Sequence, residues 1–150
     1  MKAILRTDGG ARGNPGPAGI GVILEDGAGA VLAELGRPLG HATNNVAEYT
    51  ALITGLEIAL DNGVTEVDVF LDSELVAQQV AGRWKIKNDT LRGLAVRARA
   101  LLERFDSAHI THVPRARNAA ADALANQGMD AAELDLAQER ELPQQSTFPD

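Results

Sequence analysis

The chain has 150 residues, of which 45% are hydrophobic and 23% charged, with a formal net charge of -7 at pH 7; this is ordinary usage for one globular domain and excludes a largely disordered chain. The absence of Cys excludes a disulfide framework, a thiolate zinc site and a cysteine nucleophile, and 3% aromatics leave an aliphatic core with few rings to stack on bases. The start MKAILRTDGG is too short and polar for a signal peptide, and no apolar run approaches about 18 residues, so a cytoplasmic domain without a membrane partner is expected; a monomer is the expected state, although oligomeric state is not written in the residues.

KAILRTD at 2–8 reads as a strand, followed by the Gly-rich turn GGARGNPGPAG at 9–19. IGVILE at 20–25 is a second strand, Asp26-Gly27 signals a hairpin, and AVLAELGR at 30–37 is a third. The period changes over 44–61, where Tyr49, Leu52, Ile53, Leu56 and Leu60 fall at helical spacing. Asn44 or Asn45 is placed to cap this helix and Asn62-Gly63 to end it. EVDVFLD at 66–72 is a fourth strand. Ser73 opens a short helix that Gly82 stops. Asp89 or Thr90 caps a longer helix with Leu91, Leu94, Ala98, Leu101 and Phe105 on its apolar face. Residues 83–104 hold seven basic residues and two acids, a run that a solvated helix face explains more often than phosphate binding does. AHITHV at 108–113 is a fifth strand, and Asn118 begins an Ala-rich helix that ends by Gly128. Residues 129–150, with six acids, one Arg and two prolines, read as an acidic tail or linker after a domain at 1–128. A hairpin set followed by alternating strands and helices makes an α/β fold with a mixed sheet covered by helices.

Four acids stand where a surface charge is not expected. Asp8 ends an apolar strand before a Gly-Gly turn, Asp72 ends VDVFLD, Glu48 lies among Val46, Ala47, Tyr49 and Ala51, and Asp122 sits inside AAADALA. Each alone reads as a cap, turn former or surface charge. Together, if folding brings them to one sheet edge, they repel: two like charges about 4 Å apart cost about 4 kcal/mol at an effective dielectric of 20. Such a cluster raises its own carboxylate pKa values or binds cations. Oxygen ligands without Cys favour Mg²⁺ or Mn²⁺, and a pair of such ions suits phosphodiester hydrolysis. Strand order is not visible in the residues, so convergence is an assumption at this level.

TDGGARGNPGPAGIGVIL (7–24), TNNVAEYTAL (43–52), VFLDSELVAQQVAGRWKIKN (69–88) and VPRARNAAADALAN (113–126) resemble, in order and spacing, the four motifs of type 1 ribonuclease H in its compact bacterial and archaeal form. The resemblance covers about residues 1–128. It implies a five-stranded mixed sheet of order 3-2-1-4-5 flanked by helices, with strands 1 and 4 adjacent. It implies cleavage of the RNA strand of RNA–DNA hybrids to 5′-phosphate and 3′-hydroxyl ends by two Mg²⁺ or Mn²⁺ ions. Asp8, Glu48, Asp72 and Asp122 match the metal-binding acids, and Asn14, Asn44 and Asn45 match positions that contact the hybrid. Thr43 and Asn45 match a pocket for a DNA-strand phosphate.

Two departures qualify the resemblance. No His lies between Pro114 and Asp122, where many members carry one; Arg115 resembles the Arg that compact members use there, suited to a bidentate phosphate contact. The long basic handle of some relatives is replaced by the short turn Gly82-Arg83-Trp84-Lys85-Ile86-Lys87, which leaves room for weaker hybrid binding or for double-stranded RNA as a substrate. Competing readings are a non-catalytic hybrid-binding module of the same fold and a related DNA-cleaving nuclease. The glycines at 13–21 do not spell GxGxxG and precede a strand, which disfavours a dinucleotide site. Ser73 has no His–acid set and reads as a cap.

Overall fold

A computed structural model describes residues 1–141. The elements are β1 (Lys2–Ala11), β2 (Gly16–Asp26), β3 (Val31–Ala42), α1 (Asn44–Asp61), β4 (Glu66–Leu71), α2 (Glu74–Val80), α3 (Asp89–Leu102), β5 (Ser107–His112) and α4 (Ala119–Glu141), with a 3-10 turn over Arg115–Asn118 before α4. The strands form one sheet of order β3-β2-β1-β4-β5. β1 runs antiparallel to β2 and parallel to β4, and β4 is parallel to β5. The mixed sheet of order 3-2-1-4-5 expected from the resemblance is therefore present.

The core follows from the strand period. Ala3, Leu5 and Thr7 alternate along β1 onto one face and are buried, as are Val67, Val69 and Leu71 of β4. Leu52, Leu56 and Ala59 of α1 and Leu91, Ala95 and Ala98 of α3 belong to the same cluster. Gly55 lets α1 sit on Leu5 and Thr7, whose side-chain carbons a Cβ would approach to between 2.8 and 3.1 Å. α4 covers β2 and β3 on the other side of the sheet.

Several boundaries differ from the sequence reading. β1 does not end at Asp8 but continues to Ala11, because its pairing with β2 runs on to Ala11↔Ala18. β3 passes Pro38 and reaches Ala42; as an edge strand it tolerates a missing donor, and the register shifts between Ala18 and Gly19 beside it. The α1 cap is Thr43, whose hydroxyl accepts from the Val46 amide, not Asn44 or Asn45. The α3 cap is Asn88, accepting from the Leu91 amide, not Asp89 or Thr90. The asparagines and Asp89 are free for other bonds because a neighbouring residue takes the extended cap geometry.

The largest correction concerns Gly128, which in sequence looks like a helix stop. α4 runs through it to Glu141. A Cβ on Gly128 would overlap the Arg37 carbonyl oxygen and lie 3.1 Å from the Gly19 Cα, so this glycine permits helix and sheet backbones to meet. The boundary expected at 128 thus falls inside a continuous helix. Met129 and Ala132 beyond it are buried. Residues 142–150 of the expected tail lie outside the described residues.

Candidate active site

Asp8 lies within β1, and Asp72 follows the last residue of β4. The parallel register pairs Arg6 with Phe70, and continuing it by two residues brings Asp8 level with Asp72. Ser73 turns the chain away at once, its hydroxyl accepting from the Val76 amide to start α2. Glu48 reaches the same point from α1 because Gly9 has no side chain. A Cβ at Gly9 would overlap the Ala47 carbonyl and lie 2.7 Å from the Glu48 amide nitrogen, so the helix backbone rests on the strand next to Asp8. Carboxylate oxygens of Asp8, Glu48 and Asp72 all lie within 4.8 Å of one another.

Asp122, in the first turn of α4, is not within that trio but lines the same cavity of about 330 Å³ with Asp8, Glu48 and Asp72. Its carboxyl is within hydrogen-bonding reach of Asp8. Arg115 also lines the cavity, and its Nη2 donates to Asp122 Oδ1 at 3.1 Å while most of the guanidinium stays exposed.

Burial is the main electrostatic effect. It pushes the Asp8 carboxyl up to about 8 from its ordinary 3.8, assisted by the Asp72 charge and by Asp122. Burial, with the Asp8 and Asp72 charges, likewise holds the Glu48 carboxyl far above the usual range. A partly buried, mutually repelling set of oxygen donors without sulfur or imidazole fits a hard divalent cation, whose charge would remove both penalties.

Beside the acids, the Gly-rich turn and the start of α1 interlock. Asn44 Oδ1 accepts from the Ala11 amide at 2.7 Å, and Asn14 Oδ1 accepts from the Asn44 amide at 3.0 Å. Asn14, Asn44 and Asn45 are exposed at the surface. Asn14, Thr43 and Asn45 border a second cavity of about 280 Å³, separate from the acids, and Asn44 lines the acid cavity instead.

Three contributors are not legible as site residues in the sequence. Asn88 and Thr90 complete the second cavity, and nothing in their local pattern beyond capping marks them. Asn118 reads only as a helix start. It is buried, and its Nδ2 donates to the Thr7 carbonyl at 2.9 Å, which ties the approach to Asp122 onto the strand residue before Asp8. Its position four residues before Asp122 in an Ala-rich stretch is the available signal.

A mixed five-stranded sheet with acids gathered at the seam of its parallel central strands is the architecture of the ribonuclease H-like nucleases. A family profile described as "reverse transcriptase-like" matches residues 6–128. A bifunctional protein of Mycobacterium tuberculosis is 52% identical over 133 residues, 88% of this chain and 36% of the relative. The solved N-terminal RNase H domain from that organism superposes with a TM-score of 0.88 at 49% identity, covering 91% of this chain and 99% of that one. Ribonuclease HI of Halobacterium salinarum is 52% identical over 125 residues, 83% of this chain and 63% of the relative. LC11-RNase H1, isolated from compost and solved with an RNA/DNA hybrid, gives a TM-score of 0.81 at 44% identity over 87% of this chain and 98% of that one. The chain belongs to the type 1 ribonuclease H family. It spans about a third of the length of the mycobacterial relative and 63% of the halobacterial one. Among the described residues, no helix is long and apolar enough to cross a membrane.

Proposed function

We propose that the protein is an endoribonuclease that hydrolyses the RNA strand of RNA–DNA hybrids, with two Mg²⁺ or Mn²⁺ ions, to 5′-phosphate and 3′-hydroxyl ends. The observation that carries this reading is the convergence of Asp8, Glu48 and Asp72 within 4.8 Å in a cavity that Asp122 completes. A pure binding module has no use for four acids that repel both one another and a phosphate backbone. Divalent cations held there would supply charge neutralisation at the phosphorus and acidify the attacking water.

The chain's own residues account for the rest. Asp8, Glu48, Asp72 and Asp122 are the ligand set. The outward amides of Asn14 and Asn44, whose carbonyl oxygens are already occupied, are free to donate to 2′-hydroxyls across a wide minor groove. Thr43 and Asn45, at the second cavity, suit a phosphate of the opposite strand. Arg115, which lines the acid cavity, steadies a product phosphate through a charge-assisted bond. Water oxygen bonds to phosphorus, the bond to the 3′-oxygen breaks, and the proton passes to that oxygen. Double-stranded RNA shares the A-form groove and is the alternative substrate. The test is strand-specific cleavage of an end-labelled hybrid, with and without Mg²⁺ or Mn²⁺. Cutting of the RNA strand only when the ion is present is the expected result; metal-independent cutting, or cutting of the DNA strand, overturns the proposal.

A further inference from the structure

Away from the acids, one buried polar chain links the catalytic helix to the basic turn. Tyr49, the residue after Glu48, is fully buried, and its hydroxyl donates to Gln79 Oε1 at 2.8 Å. Gln79, also buried, donates from Nε2 to the Lys85 carbonyl at 3.4 Å. Arg99 of α3 closes the arrangement from the side. Its Nη2 donates to the Gln79 carbonyl at 2.6 Å and its Nε to the Val80 carbonyl at 3.1 Å.

The segment that these bonds hold, between α2 and α3, has no helix or strand of its own. It carries Arg83, Trp84, Lys85 and Lys87 outward, with Trp84 44% exposed, and it ends at Asn88 on the wall of the cavity that Asn14, Thr43 and Asn45 border. A backbone carbonyl can only accept and a tyrosine hydroxyl can donate, so the Lys85 carbonyl and the Tyr49 hydroxyl together fix which way the Gln79 amide points. That direction sends its N–H to Lys85. A polar side chain in an aliphatic core is expensive unless each bond is made, which argues that the amide is there for what it holds.

We propose that Gln79, oriented by Tyr49, is a positioning residue for substrate binding: it fixes the backbone of the basic turn so that Arg83, Lys85 and Lys87 meet phosphates of the duplex in one preformed arrangement. This rests on the hybrid substrate proposed above. It separates binding from chemistry, because the acids sit on β1, just after β4, on α1 and on α4, and none of them is bonded to Gln79.

The experiment is steady-state hydrolysis of a hybrid by Gln79→Met, which keeps the volume and removes both bonds, and by Tyr49→Phe, which removes one oxygen. KM is expected to rise about three- to ten-fold in Gln79→Met, with kcat within about twofold of wild type, and to rise less in Tyr49→Phe. The plot of log KM against log salt should become shallower by about one unit for each phosphate that the turn no longer neutralises. An unchanged KM and salt slope in a folded variant, or a kcat that falls in step with the rise in KM, overturns the proposal. Should Gln79→Met not fold, Tyr49→Phe decides by the same criteria. Wild-type protein that binds the hybrid without cutting it would sink the catalytic reading, and Kd with its salt slope then decides this one. Protein that does not bind the hybrid sinks both.

Discussion

At the scale of single residues, Asp8 concentrates the site's electrostatics. It is 5% exposed, faces three other carboxyls and has its pKa lifted to about 8. A carboxyl whose folded pKa lies above its unfolded value stabilises the fold while protonated, and loses that contribution as pH rises toward the folded value. The metal-free protein should therefore lose stability between about pH 4 and about pH 8, by up to about 1.4 kcal/mol per pH unit for each such proton. Thermal melts in chelator should show that slope in wild type and a flatter one in Asp8→Asn, which should also melt higher at neutral pH. Added Mg²⁺ should raise the wild-type midpoint more than that of the variant. The same substitution should lower kcat by about 10²- to 10⁴-fold, the several kcal/mol that metal-borne charge stabilisation supplies. Melts showing Asp8→Asn less stable than wild type in chelator would contradict the repulsion on which the site is built. Arg115 is a milder case: Arg115→Ala should cost about tenfold in kcat, read in single-turnover assays, as an exposed group making one orienting contact.

Among the elements, the seam between β1 and α1 matters most. Gly9 brings two backbones together where a methyl group would overlap the Ala47 carbonyl. Gly9→Ala should force α1 outward, costing about 1–3 kcal/mol in urea unfolding, a typical overpacking penalty. Since displacement of about 1 Å can cost 10²-fold in rate, activity should fall by about that factor even where the variant folds. Wild-type turnover in Gly9→Ala would show that Glu48 does not depend on this contact. The apolar period over 44–61 marks α1 to its ends, because Tyr49, Leu52, Ile53, Leu56 and Ala59 recur at helical spacing and are all buried. The caps at Thr43 and Asn88 are not legible in the same way, because adjacent residues of capping type compete and backbone geometry chooses between them. Gly128 misleads because a glycine after an Ala-rich run has the same local signature whether it ends a helix or admits a neighbouring strand.

For the whole molecule, the continuation of α4 changes what the C-terminal acids do. Read as a tail, residues 129–150 repel phosphate, and their removal should leave cutting intact or improve it. In the fold, Met129 lines the acid cavity, Ala132 is fully buried, and Arg12 of the first motif pairs with Asp130 at 2.6 Å and Glu133 at 3.1 Å. The exposed ion pairs contribute little on their own. The packing of Met129 and Ala132 contributes more: truncation after residue 128 should destabilise the protein by at least about 2 kcal/mol in urea, the usual cost of removing a buried Met. A truncated chain as stable as wild type would mean that the last turns of α4 carry no structural role.

The amino-acid sequence by itself determined the order and kind of the elements, the four out-of-place acids and the resemblance that connects them, because hydrophobic period and local chemistry are written residue by residue. Period and local chemistry did not determine that Asp8 and Asp72 are neighbours, which only the resemblance implied, and nothing in the sequence determined that Glu48 meets them over Gly9 or that Gly128 is a contact and not an end. Those depend on strand order and on which backbones touch, and both are settled only when distant parts of the chain compete for the same burial.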